Sequence, residues 1–378
     1  MELYSVLKIV WWALLGVLLM GLAIMVGMDM GVGALLRFVG RTDTQRRVAL
    51  NIIAPHWDGN QVWFVLGGAA MFAAFPTLYA TAFSGLYVVM LLLLWTMIIR
   101  PLGFEYRSKL PSPTWRNAWD WVLVVSGVVP MFVYGVAMGN MLLGVPFHFD
   151  WFLTSFYTGS ILSLFNPFAI ICGVLSLSMA IYMGGVMLMG RSEAGPLQQR
   201  ARAAASVAIV VALVLFAIGG IWTSHLPGYR LVYSPALGIA QTPLQQTVEL
   251  GDGAWFDHYR SMPALWLVPA LGFAGMLIGF VMVRAGRSTP AWWAGALAWI
   301  GVLGAVGVST FPFLMPSSSN PSQSLTVWNA VSSRTTLLWT FGWISVFLPT
   351  IMAYTSWAFY VMRGKVKAER ITADPHAY

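Results

Sequence analysis

Pro55-His56-Trp57-Asp58-Gly59-Asn60-Gln61-Val62-Trp63 places a histidine, a carboxylate and two carboxamides inside an otherwise apolar run from Ala49 to Phe75. A charge at mid-bilayer costs about 2.5 to 3.5 kcal/mol on insertion scales, so an apolar chain keeps such groups where partners or a function offset that cost. If residues 54–63 are helical, His56/Asn60 and Trp57/Gln61 are i,i+4 pairs and Asp58/Gln61 an i,i+3 pair. The polar groups then spread around much of the circumference, and the helix must pack against protein on those sides.

The surrounding chain sets that stretch in a membrane. Of 378 residues, 58% are hydrophobic and 9% charged, with 19 Trp and a mean hydropathy of +0.74. That is the profile of a polytopic membrane protein with no soluble domain of useful size. Apolar runs between charged or Pro/Gly-rich breaks give nine candidate spans, at 9–30, 49–75, 78–99, 119–144, 162–189, 203–223, 263–283, 291–313 and 336–361. The expected fold is all-α, a single integral membrane domain over 1–378 whose nine transmembrane helices suit two four-helix bundles plus one helix. The first run lacks a convincing cleavage site and holds Asp29 near its end, so it reads as a retained helix.

Orientation follows from the basic residues. With the N-terminus outside, the inner segments hold Arg37, Arg41, Arg46, Arg47, Arg100, Arg107, Lys109, Arg116, Arg191, Arg200, Arg202, Arg284, Arg287, Arg363, Lys365, Lys367 and Arg370, which is 17 of the 21. Only Lys8, Arg230, Arg260 and Arg334 fall outside, so the positive-inside rule gives an N-out, C-in topology in a bacterial inner membrane. The net charge of +8 is scattered through short loops and does not point to nucleic acid. The longest loop, 224–262, is external and partly ordered on this reading; 145–161 is aromatic-rich and suits the interface, and 315–321 is an external turn.

Two more charged positions lie in or at the ends of spans. Asp29 sits among Gly27, Gly31 and Gly33, a small-residue face that lets another helix approach. It reads either as a proton-conducting or ion-pairing carboxylate, or as a cap or salt-bridge partner at the membrane surface. Arg100 closes the uncharged third span, and it either neutralises Asp29 or Asp58 across the bundle or anchors the inner surface. Haem ligation needs histidine or methionine aimed into a bundle. Only His56 of five histidines lies within a span, His148, His225, His258 and His376 falling in loops or the tail, so the chain is expected to ligate no haem and no metal by itself. A lone Cys172 excludes an intrachain disulfide and any cysteine-based cluster. No P-loop, Rossmann fingerprint, HExxH or nucleophile elbow is present.

Val10-Trp11-Trp12, Gly27 to Gly33, Ala54 to Trp63, Phe83-Ser84-Gly85, Arg100 to Lys109, Gly139-Asn140 and Phe311 to Ser318 together resemble subunit II of the cytochrome bd-type quinol oxidases, the cyanide-insensitive branch included. The likeness runs from the first span to the last. It implies a heterodimer with a haem-bearing subunit I that holds two b-type haems, one d-type haem and the external quinol site. Such a complex oxidises quinol and reduces O2 to water, taking protons from the cytoplasm without pumping them. The resemblance assigns Asp29, Asp58 and Arg100 to a proton pathway, with His56, Asn60 and Gln61 as a polar cluster beside it and Trp63 bordering an O2 path. It leaves room for a structural quinone, lipid and small accessory subunits. Val26 stands where several relatives carry a second Asp, Asn329 where relatives have Asp, and Arg334 where they have Gln. Two other readings compete: a proton-coupled transporter using Asp29, Asp58 and His56, for which no pair of corresponding broken helices is found, and a structural scaffold.

Overall fold

A computed structural model of the chain describes residues 2–373, so His376 lies outside the described residues. Helix α1 (Leu3–Val39) is the hub. Its 37 residues rise about 55 Å, well beyond a hydrocarbon core of about 30 Å, so Asp29 lies inside the helix where the sequence reading had put it near the end of a shorter span. Residues 26–36 are buried on every side. Glycine permits this. A Cβ at Gly31 would collide with the backbone oxygen of Ala180 on α7 (Pro167–Arg191), and one at Gly127 of α6 (Pro113–Leu143) would meet the Met30 oxygen. Three backbones therefore come together around the stretch that carries Asp29, as small-residue faces allow in membrane helices.

The expected span at 49–75 is two helices. After α1, Thr42 caps α2 (Asp43–Ile53), its hydroxyl accepting from Gln45 N at 3.3 Å. Pro55 has no N–H with which to continue the ladder, so α2 ends at the Ala54 N to Leu50 O bond. A tight turn brings His56 N to Ile53 O, and α3 (Trp57–Ala74) starts where Asn60 N bonds to His56 O. His56 is thus the N-cap residue of α3: its carbonyl accepts the first i,i+4 bond of the helix, and its side chain makes no capping bond. Phe75 before Pro76 leaves the helical region, and α4 (Pro76–Gly85) turns 120° from α3. The run predicted at 78–99 is also divided, at Leu86, between α4 and α5 (Tyr87–Arg107).

Beyond α6 and α7 come α8 (Pro196–Thr223), the short α9 (Asp257–Ser261), α10 (Leu267–Arg284), α11 (Ser288–Thr310), α12 (Arg334–Val361) and α13 (Ala368–Ala373). Among the described residues eight helices are long and apolar enough to cross a membrane, nine if the bent α3–α4 pair counts as one span, and the chain is an integral membrane protein. Helices α3, α6 and α7 pack on α1, and α5 on α6; α8 and α11 pack on α7, and α10 on α8 and α11. Helix α12 touches α1 and α3 and leaves Trp339, Trp343, Phe347, Tyr354 and Trp357 exposed.

The fold is not wholly helical, because the loops between α6 and α12 form three small antiparallel hairpins: β1 (Phe147–Phe149) with β2 (Ser155–Tyr157), β3 (Pro227–Tyr233) with β4 (Thr247–Asp252), and β5 (Phe313–Met315) with β6 (Leu325–Thr326). Tyr229 is buried among Leu142, Trp255 and Phe313, and burial pushes its phenol up to about 12, so it stays a neutral donor. Lys8 Nζ fastens α1 to this cap through the Ile239 and Trp328 carbonyls at 2.9 and 3.2 Å. Asn329 links two loops: its Oδ1 accepts from Thr326 N at 2.8 Å, and its Nδ2 donates to Gln246 Oε1 and Ser324 O at 2.9 and 3.1 Å. An aspartate would have no N–H for the last two, so the asparagine is matched to its neighbours.

Gly31→Ala forces α1 from α7 and is expected to destabilise the chain by about 1–3 kcal/mol, read as a lowered thermal midpoint of the protein in detergent. Asn329→Ala strands buried donors and acceptors and should cost about 1–3 kcal/mol by the same measurement. An unchanged midpoint in either variant contradicts the packing described.

Candidate functional site

The buried stripe of α3 runs Asn60, Trp63, Gly67, Ala70 and Ala74, spaced three and four residues apart, and faces α1. Its register sets Asn60 beside Asp29, where Asn60 Nδ2 donates to Asp29 Oδ2 at 2.8 Å. Both side chains are buried, Asp29 completely. The third member comes from α5. Arg100 is 2% exposed, and its charge and that of Asp29 act on one another. No hydrogen bond joins them: Asp29 Oδ1 and both Arg100 Nη atoms lack protein partners. Phe104, one turn along α5, lies under the guanidinium with its ring centre 5.8 Å away, and Trp57 stacks on Phe104 at 5.1 Å. An Asp, an Asn and an Arg from three helices thus share one buried polar layer, closed beneath by two aromatic rings.

The other predicted site residues fall around that layer. Asp58 does not join it; it points away on the exposed stripe of α3 with Val62, Val65 and Phe72. A carboxylate in the first turn of a helix is favoured by the helix dipole, which gives Asp58 a local reason to stand where it does. Gln61 is half-buried with its Nε2 unpartnered. His56 is buried, stacks on Phe359 of α12 at 4.2 Å, and lies near enough to Arg191 for the two to interact electrostatically. Trp63 packs its indole over Gly21 of α1, a glycine whose Cβ would collide with the ring.

A cavity of about 600 Å³ lies immediately on the far side of the polar layer. Its walls come from α1, α3, α4, α5, α6, α10 and α11; the lining side chains are apolar except for Trp12, Tyr134, Asn140 and Thr310. Val26, Phe64 and Met97 line it, and these stand three or four residues from Asp29, Asn60 and Arg100 respectively. The polar layer is therefore one helical turn, about 5 Å, from the cavity. Trp63 is not among the lining residues, although its neighbours Phe64 and Gly67 are. The cavity is lined by no histidine, and among the described residues no group of three or more His, Cys, Asp or Glu side chains could hold a metal ion.

Sequence reasoning left Asp120 without a role. It is fully buried on α6 and binds Arg107 Nε at 2.6 Å and Arg46 Nη1 at 2.8 Å. The available signal was an acidic residue seven positions before the small residue Gly127, at the start of the apolar run of α6.

Comparison with known proteins identifies the setting of this geometry. A family model described as cytochrome bd terminal oxidase subunit II matches residues 7–362. The chain is 44% identical to cytochrome bd-I ubiquinol oxidase subunit 2 of Escherichia coli strain K12 and 43% identical to a probable cytochrome oxidase subunit 2 of Haemophilus influenzae, with 99% of each chain covered. It is 30% identical to cytochrome bd ubiquinol oxidase subunit 2 of Bacillus subtilis over 94% of its own length and 96% of that chain. Among solved structures, a bd oxidase chain from Geobacillus thermodenitrificans superposes with a TM-score of 0.68 at 17% identity, covering 94% of this chain and 99% of that one, a likeness of fold. Homology therefore favours the oxidase over the transporter reading. The chain belongs to the cytochrome bd terminal oxidase subunit II family and is a subunit of a quinol oxidase.

Proposed function

We propose that this subunit gives protons a route toward the oxygen-reducing centre of the complex, through the layer formed by Asp29, Asn60 and Arg100 and on to Asp58. The observation that carries the reading is the pairing of orphans: a buried carboxylate oxygen and a buried guanidinium, unpartnered yet within each other's field. Buried polar groups of this kind are ordinarily satisfied by ordered water. A carboxylate, an arginine and water between them can pass a proton, and each retains a counter-charge when it does.

Asp58 gives the route its exit. A carboxylate on an outward stripe of a membrane helix is too costly against lipid, so that stripe faces the haem-bearing subunit I, and the exposed aromatic side of α12 extends the same contact. The haems, two b-type and one d-type, belong to that partner: this chain's large cavity has no histidine to ligate one. The same cavity suits the isoprenoid part of a structural quinone, a lipid chain or O2 in transit, with Trp63 beside it. Small accessory subunits would add to the heterodimer outside these contacts.

The proposed setting is the bacterial inner membrane, with nine spans in a single membrane domain over 1–378, N-out and C-in. Helices α1, α3, α5 and α6 would form one four-helix group, α7, α8, α10 and α11 the other, and α12 the ninth span. The basic residues support this orientation: the α5–α6 connection carries Lys109 and the α10–α11 connection Arg287, on the side assigned to the cytoplasm.

Asp29→Asn and Asp58→Asn, each purified with subunit I, are expected to lower quinol-dependent O2 uptake per haem by about tenfold or more, since an amide cannot exchange a proton. Haem content should be unchanged in Asp29→Asn. Wild-type turnover in either variant overturns the proton route as drawn.

A further inference from the structure

We infer that Asp120, on α6 and outside the polar layer, is a positioning residue that holds Asp29, Asn60 and Arg100 at a common height. The inference rests on the proton-route reading above and extends it to a side chain two helical turns away.

Asp120 is the centre of a five-membered charge network. Its Oδ1 accepts from Arg107 Nε at 2.6 Å, and its Oδ2 from Arg46 Nη1 at 2.8 Å and Arg107 Nη2 at 3.4 Å. Arg107 Nη2 continues to Asp43 Oδ1 at 2.8 Å, and Asp43 Oδ2 accepts from Arg116 Nη1 at 2.9 Å. Asp120 and Arg107 are both fully buried. Buried charge-assisted bonds of this geometry are the strong ones, and removing one member leaves a buried charge uncompensated.

The network reaches every helix that supplies the layer. Arg107 is seven residues beyond Arg100, two turns along the same face of α5, so Asp120 fixes the height of Arg100. Arg46 lies on α2, which leads through the Pro55 turn into α3 and Asn60. The same Arg46 donates from Nε to Gly40 O at 2.8 Å, and Gly40 caps the C-terminus of α1, the helix of Asp29. Side-chain size is also used up between the two layers. A Cβ at Gly103 of α5 would meet Leu123 of α6 at 2.7 Å, and one at Gly33 of α1 would meet the Leu123 oxygen at 3.1 Å. With helix contacts this close, a shift at the charge network is transmitted upward instead of being absorbed. The Asp29–Asn60 bond and the Asp29–Arg100 approach both depend on axial register, so one buried carboxylate on a fourth helix sets the geometry of all three partners.

The test uses the complex with subunit I. Asp120→Asn should lower kcat for quinol oxidation per haem at least about fivefold, as misplacement by a fraction of a turn does to a positioned site. The quinol KM and haem content should stay at wild-type values, the solvent deuterium isotope effect should rise because proton delivery becomes limiting, and Asp120→Glu should recover part of kcat. A lower yield of complex with wild-type turnover per haem and an unchanged isotope effect overturns the inference and leaves Asp120 a scaffold residue. If Asp120→Asn does not assemble, Arg107→Lys, which keeps the charge but loses the two-pronged bond, decides on the same readouts. Asp29→Asn run in parallel separates the two claims. Slow Asp29→Asn with wild-type Asp120→Asn sinks only the positioning role; wild-type Asp29→Asn sinks the proton route and the positioning role with it.

Discussion

The hydrogen bond from Asn60 to Asp29 is the constraint around which the protein is arranged. Asp29 occupies the stretch of α1 that is buried on all sides, where an ion costs several kcal/mol to desolvate. A hydrogen bond to a charged group returns about 1.5–3 kcal/mol, so Asn60 cannot stabilise the carboxylate alone. Arg100 offers the opposite charge from α5, and three helices must therefore hold one register. The glycines at 31, 33 and 127 let the backbones close around that point, and the break at Pro55 sets the start of α3 so that Asn60 arrives on its inner stripe.

Three layers stack along α1, α3, α5 and α6 and their neighbours. An apolar cavity of about 600 Å³ lies at one end, the Asp29–Asn60–Arg100 layer lies one turn from it, and the Asp120 charge network lies two turns beyond that. Each layer has a different tolerance for water. The cavity walls offer little for water to bond to, the middle layer has polar atoms in want of partners, and the charge network is largely paired within the protein. On the proposed proton route such a separation has a use, since water leaking into the cavity would dissolve the distinction between the layers.

Much of this was legible in the sequence, for physical reasons that differ by residue. The membrane class and the approximate positions of most spans follow from hydropathy, and the weight given to Asp29, Asn60 and Arg100 follows from the cost of polar groups in an apolar chain. The divided helices at 49–75 and 78–99 were not anticipated, because hydropathy is blind to the missing N–H of Pro55 and to a break at Leu86 that interrupts no apolar run. Asp58 looked like a companion of Asp29 in sequence, yet facing is decided by helix phase: two residues separate it from Asn60, about 200° around α3. Asp120 escaped notice since its partners Arg46 and Arg107 lie 74 and 13 residues away, and only tertiary packing brings them together.

The central claim is that Asp29 exchanges its proton as the complex turns over. Infrared difference spectra of the oxidised and reduced complex, recorded for the wild type and for Asp29→Asn, test it at the level of the single group. The account predicts a protonated-carboxyl band in the wild-type difference spectrum that shifts in deuterium oxide and is missing in Asp29→Asn. Superimposable spectra from the two proteins, with carboxyl bands intact, would contradict it.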